Sequence, residues 1–136
     1  MATARATIEI PASADKVWQL MGGFGSLPEW APVIVTSVLR EGGRVRRLET
    51  ADGAEVVERL LSFDEQARRY SYSILESPFP IAEYRATLAV REGERPGTTL
   101  VEWSGEFTPK GVSEAEVVAI FTGVYEGGLA ALRANF

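Results

Sequence analysis

The chain contains no histidine. That rules out a Ser-His-Asp triad and any histidine-ligated zinc, haem or non-haem iron centre. It contains no cysteine either, so disulfides, thiolate metal sites and a cysteine nucleophile are excluded. Any chemistry has to come from carboxylates, tyrosine, arginine, lysine or backbone groups. No run of about 18 apolar residues is present to span a membrane. The opening MATARATIEI lacks the apolar stretch of a signal peptide. Basic residues are the minority, 14 Lys and Arg against 19 Asp and Glu, for a formal charge of -5. This balance disfavours nucleic acid and anionic membranes as partners. The expected location is the cytoplasm.

What is present is an ordinary globular composition. The 136 residues are 46% hydrophobic and 24% charged, which suits one domain, 1–136, with a core that needs no staples. Thr3 to Ile10 alternates as a strand. Pro11-Ala12 breaks it, and Ser13 then caps a helix carrying Val17, Trp18, Leu20 and Met21. Gly22-Gly23 ends that helix, and FGSLPEWAPVI follows as a short, partly helical segment.

From Val33 the period changes. Val33–Leu39, Arg44–Thr50, Ala54–Phe63, Arg68–Glu76, Ala82–Arg91 and Thr98–Thr108 suit strands. Their joints are short and rich in Gly, Asp and Glu, which predicts an antiparallel meander. A hairpin around Ala51-Asp52-Gly53 pairs Thr50 with Ala54, Leu48 with Val56 and Arg46 with Glu58. Ser113 and Glu116 then form a capping box for a long helix. Its apolar positions run from Val117 to Leu132, and Gly123, Gly127 and Gly128 allow close packing or a bend. The chain is α+β. A curved sheet needs one face covered, and only the last helix is large enough to cover it.

Neither glycine-rich word marks a nucleotide site. REGERPGTT reads as a hairpin loop, and GGFGSLPEW lacks the strand before and the helix after that a dinucleotide turn requires.

The element order resembles the START-like helix-grip superfamily, specifically its bacterial polyketide cyclase/dehydrase and lipid transport (SRPBCC) branch. Three words carry the resemblance: IPASADKVWQLMGGFGSLPEW, ERLLSFDEQARRYSYSILESPFPIAEYRATL and TLVEWSGEFTP. It implies about seven strands wrapped around the C-terminal helix, two short helices after strand 1, and a cavity between sheet and helix. Fold does not fix function in this group, which includes carriers, receptors and ring-closing enzymes.

Alternation leaves the strand parity open, and the resemblance selects a face. It puts Glu58, Tyr72, Ile74, Tyr84, Ala86, Glu102 and Ser104 in the cavity, with Trp30 entering from the short helical segment. Helical spacing adds Phe121, Tyr125 and Leu129. The other parity sends Glu102 and Glu106 to solvent and turns Trp103 and Phe107 inward. Arg46 and Glu58 form either a semi-exposed pair at the cavity rim or an anchor for the polar end of a ligand. Tyr70 joins Tyr72, Tyr84 and Tyr125 as a polar handle. Relatives often carry histidine where this chain has Ala31, so a mechanism using that histidine cannot operate here.

The Ser77-Pro78-Phe79-Pro80-Ile81 connection falls where related abscisic-acid receptors place a mobile loop at the cavity mouth. Phe79 there is either an apolar plug or filler against Phe24 or Trp30, and Ile81 lies beside it. The resemblance implies binding of a hydrophobic or aromatic small molecule in a cavity of about 300–1,000 Å³. The alternative is a cofactor-free cyclase or dehydratase with Glu58, Glu102 and Arg46 as candidate catalytic groups. A third possibility is a module whose loops bind a partner after closing on a ligand. No metal or cofactor is called for, and a monomer or homodimer is expected.

Overall fold

The computed structural model describes all residues, 1–136. Strand β1 (Ala2–Ile10) leads into helix α1 (Ala14–Met21) and the single-turn helix α2 (Leu27–Trp30). Six strands follow: β2 (Ile34–Arg40), β3 (Val45–Thr50), β4 (Glu55–Asp64), β5 (Arg69–Glu76), β6 (Ile81–Glu92) and β7 (Thr99–Pro109). Helix α3 (Glu114–Arg133) closes the chain. The strands form one seven-stranded antiparallel sheet in the order β1-β7-β6-β5-β4-β3-β2. This is the helix-grip arrangement expected from the sequence.

Local chemistry sets the boundaries. Ser13 Oγ accepts from Lys16 N at 3.3 Å to start α1, and Ser113 Oγ accepts from Glu116 N at 3.2 Å to start α3. The β3–β4 turn is closed by Thr50 N donating to Ala54 O at 2.9 Å. Gly53 sits there at φ 87, in the left-handed region that glycine enters freely. The register matches the predicted hairpin, with Leu48 opposite Val56 and Arg46 opposite Glu58.

Two irregularities interrupt the β4–β5 ladder, between Val57 and Glu58 and between Leu60 and Ser62. Such bulges increase local twist and redirect side chains. Here they curl the centre of the sheet and flank the stretch that begins at Glu58.

Helix α3 buries Val117, Phe121, Tyr125, Leu129 and Leu132, one stripe at three- and four-residue spacing. It lies chiefly over β1 and β7. Helix α3 is 20 residues long, and an 18-residue window within it has a mean hydropathy of 1.4, so by length and composition it also meets the requirement for a membrane crossing, a feature that scanning for an uninterrupted apolar run does not reveal. In this fold its stripe is the centre of the core. Of the three glycines, only Gly128 makes a close approach: a Cβ there would come within 2.6 Å of Trp103. Gly123 and Gly127 face open space.

Candidate functional site

Between the sheet and α3 lies a cavity of about 180 Å³, of whose 17 lining residues 13 are hydrophobic. The volume falls below the expected range because aromatic rings fill the centre. Phe121 lies 4.8 Å from both Tyr84 and Phe107, and Trp103 stacks on Tyr125 at 4.9 Å. A shallow outer depression of about 300 Å³ lies on the β5–β6 hairpin. It is open to solvent and gathers no buried charged group, so the internal cavity is the candidate site. Ile74, Phe79 and Tyr84 line both spaces.

The polar end of the cavity is an ion pair. Arg46 is fully buried at 0% exposure and Glu58 keeps 6%. Arg46 Nε donates to Glu58 Oε1 at 2.7 Å, and Nη2 lies 2.7 Å from the same oxygen without the angle of a hydrogen bond. Arg46 Nη1 donates to the Phe24 carbonyl at 2.9 Å and to the Tyr70 hydroxyl at 3.3 Å. The guanidinium also faces the rings of Phe24 at 4.2 Å and Tyr72 at 4.9 Å. Both contacts on Glu58 use Oε1, which leaves Oε2 without a protein partner. Burial pushes the Glu58 carboxyl above its ordinary range, with Arg46 pulling the other way. Arg46 itself is held further into its charged range: burial opposes this, but Tyr70, Glu58 and Tyr72 together outweigh it.

A chain of aromatic hydroxyls runs from the cavity to the helix. Trp103 Nε1 donates to Tyr72 Oη at 3.0 Å, Tyr72 Oη lies 3.5 Å from Tyr84 Oη, and Tyr84 Oη bonds Tyr125 Oη. Burial raises the pKa of all three tyrosines, so they remain protonated near neutrality. Gly105 makes the end of this chain possible, because a Cβ there would collide with Tyr125 Oη.

The structure brings Arg46, Glu58, Tyr72, Ile74, Phe79, Tyr84 and Phe121 to the cavity wall. Tyr125, Ala86 and Leu129 are buried in the adjoining core beneath α3. Trp30 is buried behind the wall, edge-on to Trp103 at 6.1 Å, with its Nε1 unpartnered. Ile81 lines the outer depression instead.

Two expected residues lie on the opposite face of the sheet. Along β7, Val101, Trp103, Gly105 and Phe107 are buried and the residues between them are not. Glu102 and Ser104 therefore stand on the convex face, the former paired with Arg5 of β1 and the latter opposite Thr87. Burying indole and phenyl groups is favourable, whereas burying a second carboxylate without a partner is costly. The Arg46–Glu58 pair also departs from the rim position, being deeply buried. Phe79 packs on Phe121 at 4.9 Å, neither on Phe24 nor on Trp30.

Leu48, Val56 and Trp103 also line the cavity and were not among the expected residues. The first two were recoverable: each lies two positions from Arg46 or Glu58 in the predicted hairpin, hence on the same face. Trp103 follows from the other β7 parity.

These features agree with what the chain resembles as a whole. Residues 1–136 match the family described as polyketide cyclase/dehydrase and lipid transport. The chain belongs to that family. Among solved structures, the protein XoxI from Bacillus cereus is 49% identical, with a TM-score of 0.97 over 100% of this chain and 96% of that one. An uncharacterized protein from Bacillus thuringiensis is 48% identical, with a TM-score of 0.97 over 99% of this chain and 98% of its own. The di-domain aromatase/cyclase BexL, of the BE-7585A biosynthetic pathway, is 26% identical with a TM-score of 0.82; the match covers 99% of this chain and 46% of BexL. The comparison with curated proteins gives no match.

Proposed function

We propose that this family member is a soluble, cytoplasmic protein that binds a small hydrophobic or aromatic molecule in the cavity between the sheet and α3. The observation that carries the reading is an apolar, internal space of about 180 Å³ with one ion pair set in its wall. Apolar lining supplies the driving force for uptake, and a few convergent polar groups supply orientation. Phe79 is the ring shared by the cavity and the outer depression. Pro78 and Pro80 flank it and restrict the backbone that carries it. Movement of this ring joins the two spaces and provides a route in.

Native mass spectrometry of protein isolated gently from its own cells tests the proposal. A co-purifying compound, identified after extraction, supports binding and names the ligand class. Protein that is empty, and that takes up no apolar probe into the cavity when titrated, sinks it.

A second reading is a proton-transfer enzyme of the cyclase or dehydratase type. It is supported by a buried carboxyl held above its ordinary range in the cavity wall, and by the likeness to BexL. Glu58 would exchange a proton with a carbonyl substrate while Arg46 holds the carboxyl in place. Turnover of a β-ketone by wild-type protein, abolished in Glu58→Gln, separates this reading from simple binding.

A further inference from the structure

Resting on the binding function proposed above, we infer that the cavity selects a small neutral compound whose hydroxyl or N–H donates to the free oxygen of Glu58. Size gives the first argument. A dry apolar cavity of about 150 Å³ in another protein accommodates benzene, and the space here is about 180 Å³. One ring with a small substituent fits within that volume.

Hydrogen-bonding capacity gives the second argument. The tyrosine hydroxyls that approach the cavity have partners within their own cluster: Tyr72 accepts from Trp103 and has Tyr84 at 3.5 Å for its own proton, and Tyr84 bonds Tyr125. Glu58 differs. Both of its contacts fall on Oε1, and the residue retains exposure where it lines the cavity. Its second oxygen has no protein donor and is accessible from the cavity. A ligand with a suitably placed O–H or N–H satisfies it, whereas a ligand carrying only an acceptor leaves it unmatched.

Charge gives the third. Arg46 is the one cation among the lining residues and Glu58 the one anion, and they are paired. An anionic ligand would set a second carboxylate against a single guanidinium. A cationic ligand would compete with Arg46 for Glu58. A neutral donor disturbs neither partner.

The test is titration of the wild-type protein, near neutral pH, with phenol, anisole, toluene and benzoate. Methyl NMR of Leu48, Val56 and Ile74 reports occupancy of the cavity itself. The inference expects phenol to bind about tenfold or more tighter than anisole, its donor-free methyl ether, with benzoate weakest. Equal affinity for phenol, anisole and toluene would overturn it while leaving the binding function standing. Benzoate binding most tightly would also overturn it, by making Arg46 an anion site. If no probe shifts the three methyl signals, toluene included, the binding function and this inference fall together. A variant comparison sharpens the result: Glu58→Gln should narrow the phenol-to-anisole ratio, and Glu102→Gln, on the convex face, should preserve it. Since Glu58→Gln leaves Arg46 buried without its partner and risks poor folding, the wild-type selectivity decides the matter on its own.

Discussion

The two halves of the sheet meet the helix in different ways. On the β1–β7–β6 side, Ala4, Gly105 and Ala86 stand side by side in register. Their small size lets α3 settle directly on the strands, and the Tyr125 hydroxyl reaches down over Gly105. On the β3–β4–β5 side the inward residues are Arg46, Leu48, Val56, Glu58 and Tyr72, and the cavity lies above them. At those three positions the absence of large side chains brings the helix down, whereas the other half is kept open by large ones held in place. Arg46 is fixed by Glu58, Phe24 and Tyr70, so it cannot fold into the space it borders. The bulge next to Glu58 sharpens the sheet's turn at the same point. The cavity is thus a product of side-chain volume and polar anchoring, distributed unevenly over one continuous sheet.

The largest expected effect comes from breaking the anchor. Arg46→Met keeps the stem but strands Glu58, and should cost about 3–5 kcal/mol in chemical denaturation. The loss should shrink in acid, because Glu58 can take up a proton once its partner is gone. The same sign governs the wild type. A carboxyl whose folded pKa is raised binds its proton more tightly in the native state. Its contribution to stability is therefore fully present below the unfolded carboxyl pKa, about 4.3, and is lost as pH rises through the folded value. Glu58→Gln should remove that segment of the stability–pH curve; an unchanged curve would show that the Glu58 carboxyl titrates alike in the folded and unfolded chain.

The closed half should respond to a single carbon. Gly105→Ala drives a Cβ into the Tyr125 hydroxyl, and overpacking of this kind costs about 1–3 kcal/mol. Removing the hydroxyl makes room, so Gly105→Ala combined with Tyr125→Phe should be less destabilised than the two single variants added together. A double-mutant cycle reads that coupling directly. Simple additivity would mean that α3 is not seated by this contact.

Phe79→Ala acts on the open half and should leave the closed half alone. Phe79 is only partly buried, so the expected stability loss is about 1 kcal/mol, below the 3–5 kcal/mol typical of a fully buried phenylalanine. Exchange of an apolar probe should accelerate, as measured by stopped-flow or NMR lineshape. A large drop in stability with unaltered exchange would make Phe79 core filler rather than part of the entrance.

Much of the architecture was legible before the structure. Each predicted strand lies within two residues of an observed one, because turn residues punctuate the chain and the joints are too short for anything but antiparallel neighbours. The Arg46–Glu58 pairing followed from the Gly53 turn alone. What could not be read was depth. Register shows that two residues face each other, but not how much protein covers them, so a pair read as either a semi-exposed rim pair or a ligand anchor proved to be buried. The setting of Phe79 is compatible with either an apolar plug or filler. Its partner was not legible, since Phe121 is distant in sequence and reaches it only through the placement of α3.

The clearest failure of reading, β7, yields the smallest effect and a sharp control. In TLVEWSGEFTP both parities offer a plausible cavity wall, one polar and one aromatic. A register borrowed from relatives selected the polar one. Physical chemistry selects the other: Trp103 and Phe107 gain by leaving water, whereas Glu102 and Glu106 would enter a site where Arg46 is already paired. Glu102 instead meets Arg5, whose side chain is 64% exposed. Exposed ion pairs contribute about 0–1 kcal/mol. Glu102→Gln should therefore change stability by no more than that and leave probe affinity untouched, whereas Glu58→Gln alters ligand selectivity. Equal effects of the two substitutions on binding would turn β7 over and return Glu102 to the cavity. Retention of wild-type affinity by Glu102→Gln would leave Glu58 as the one carboxylate that a ligand meets.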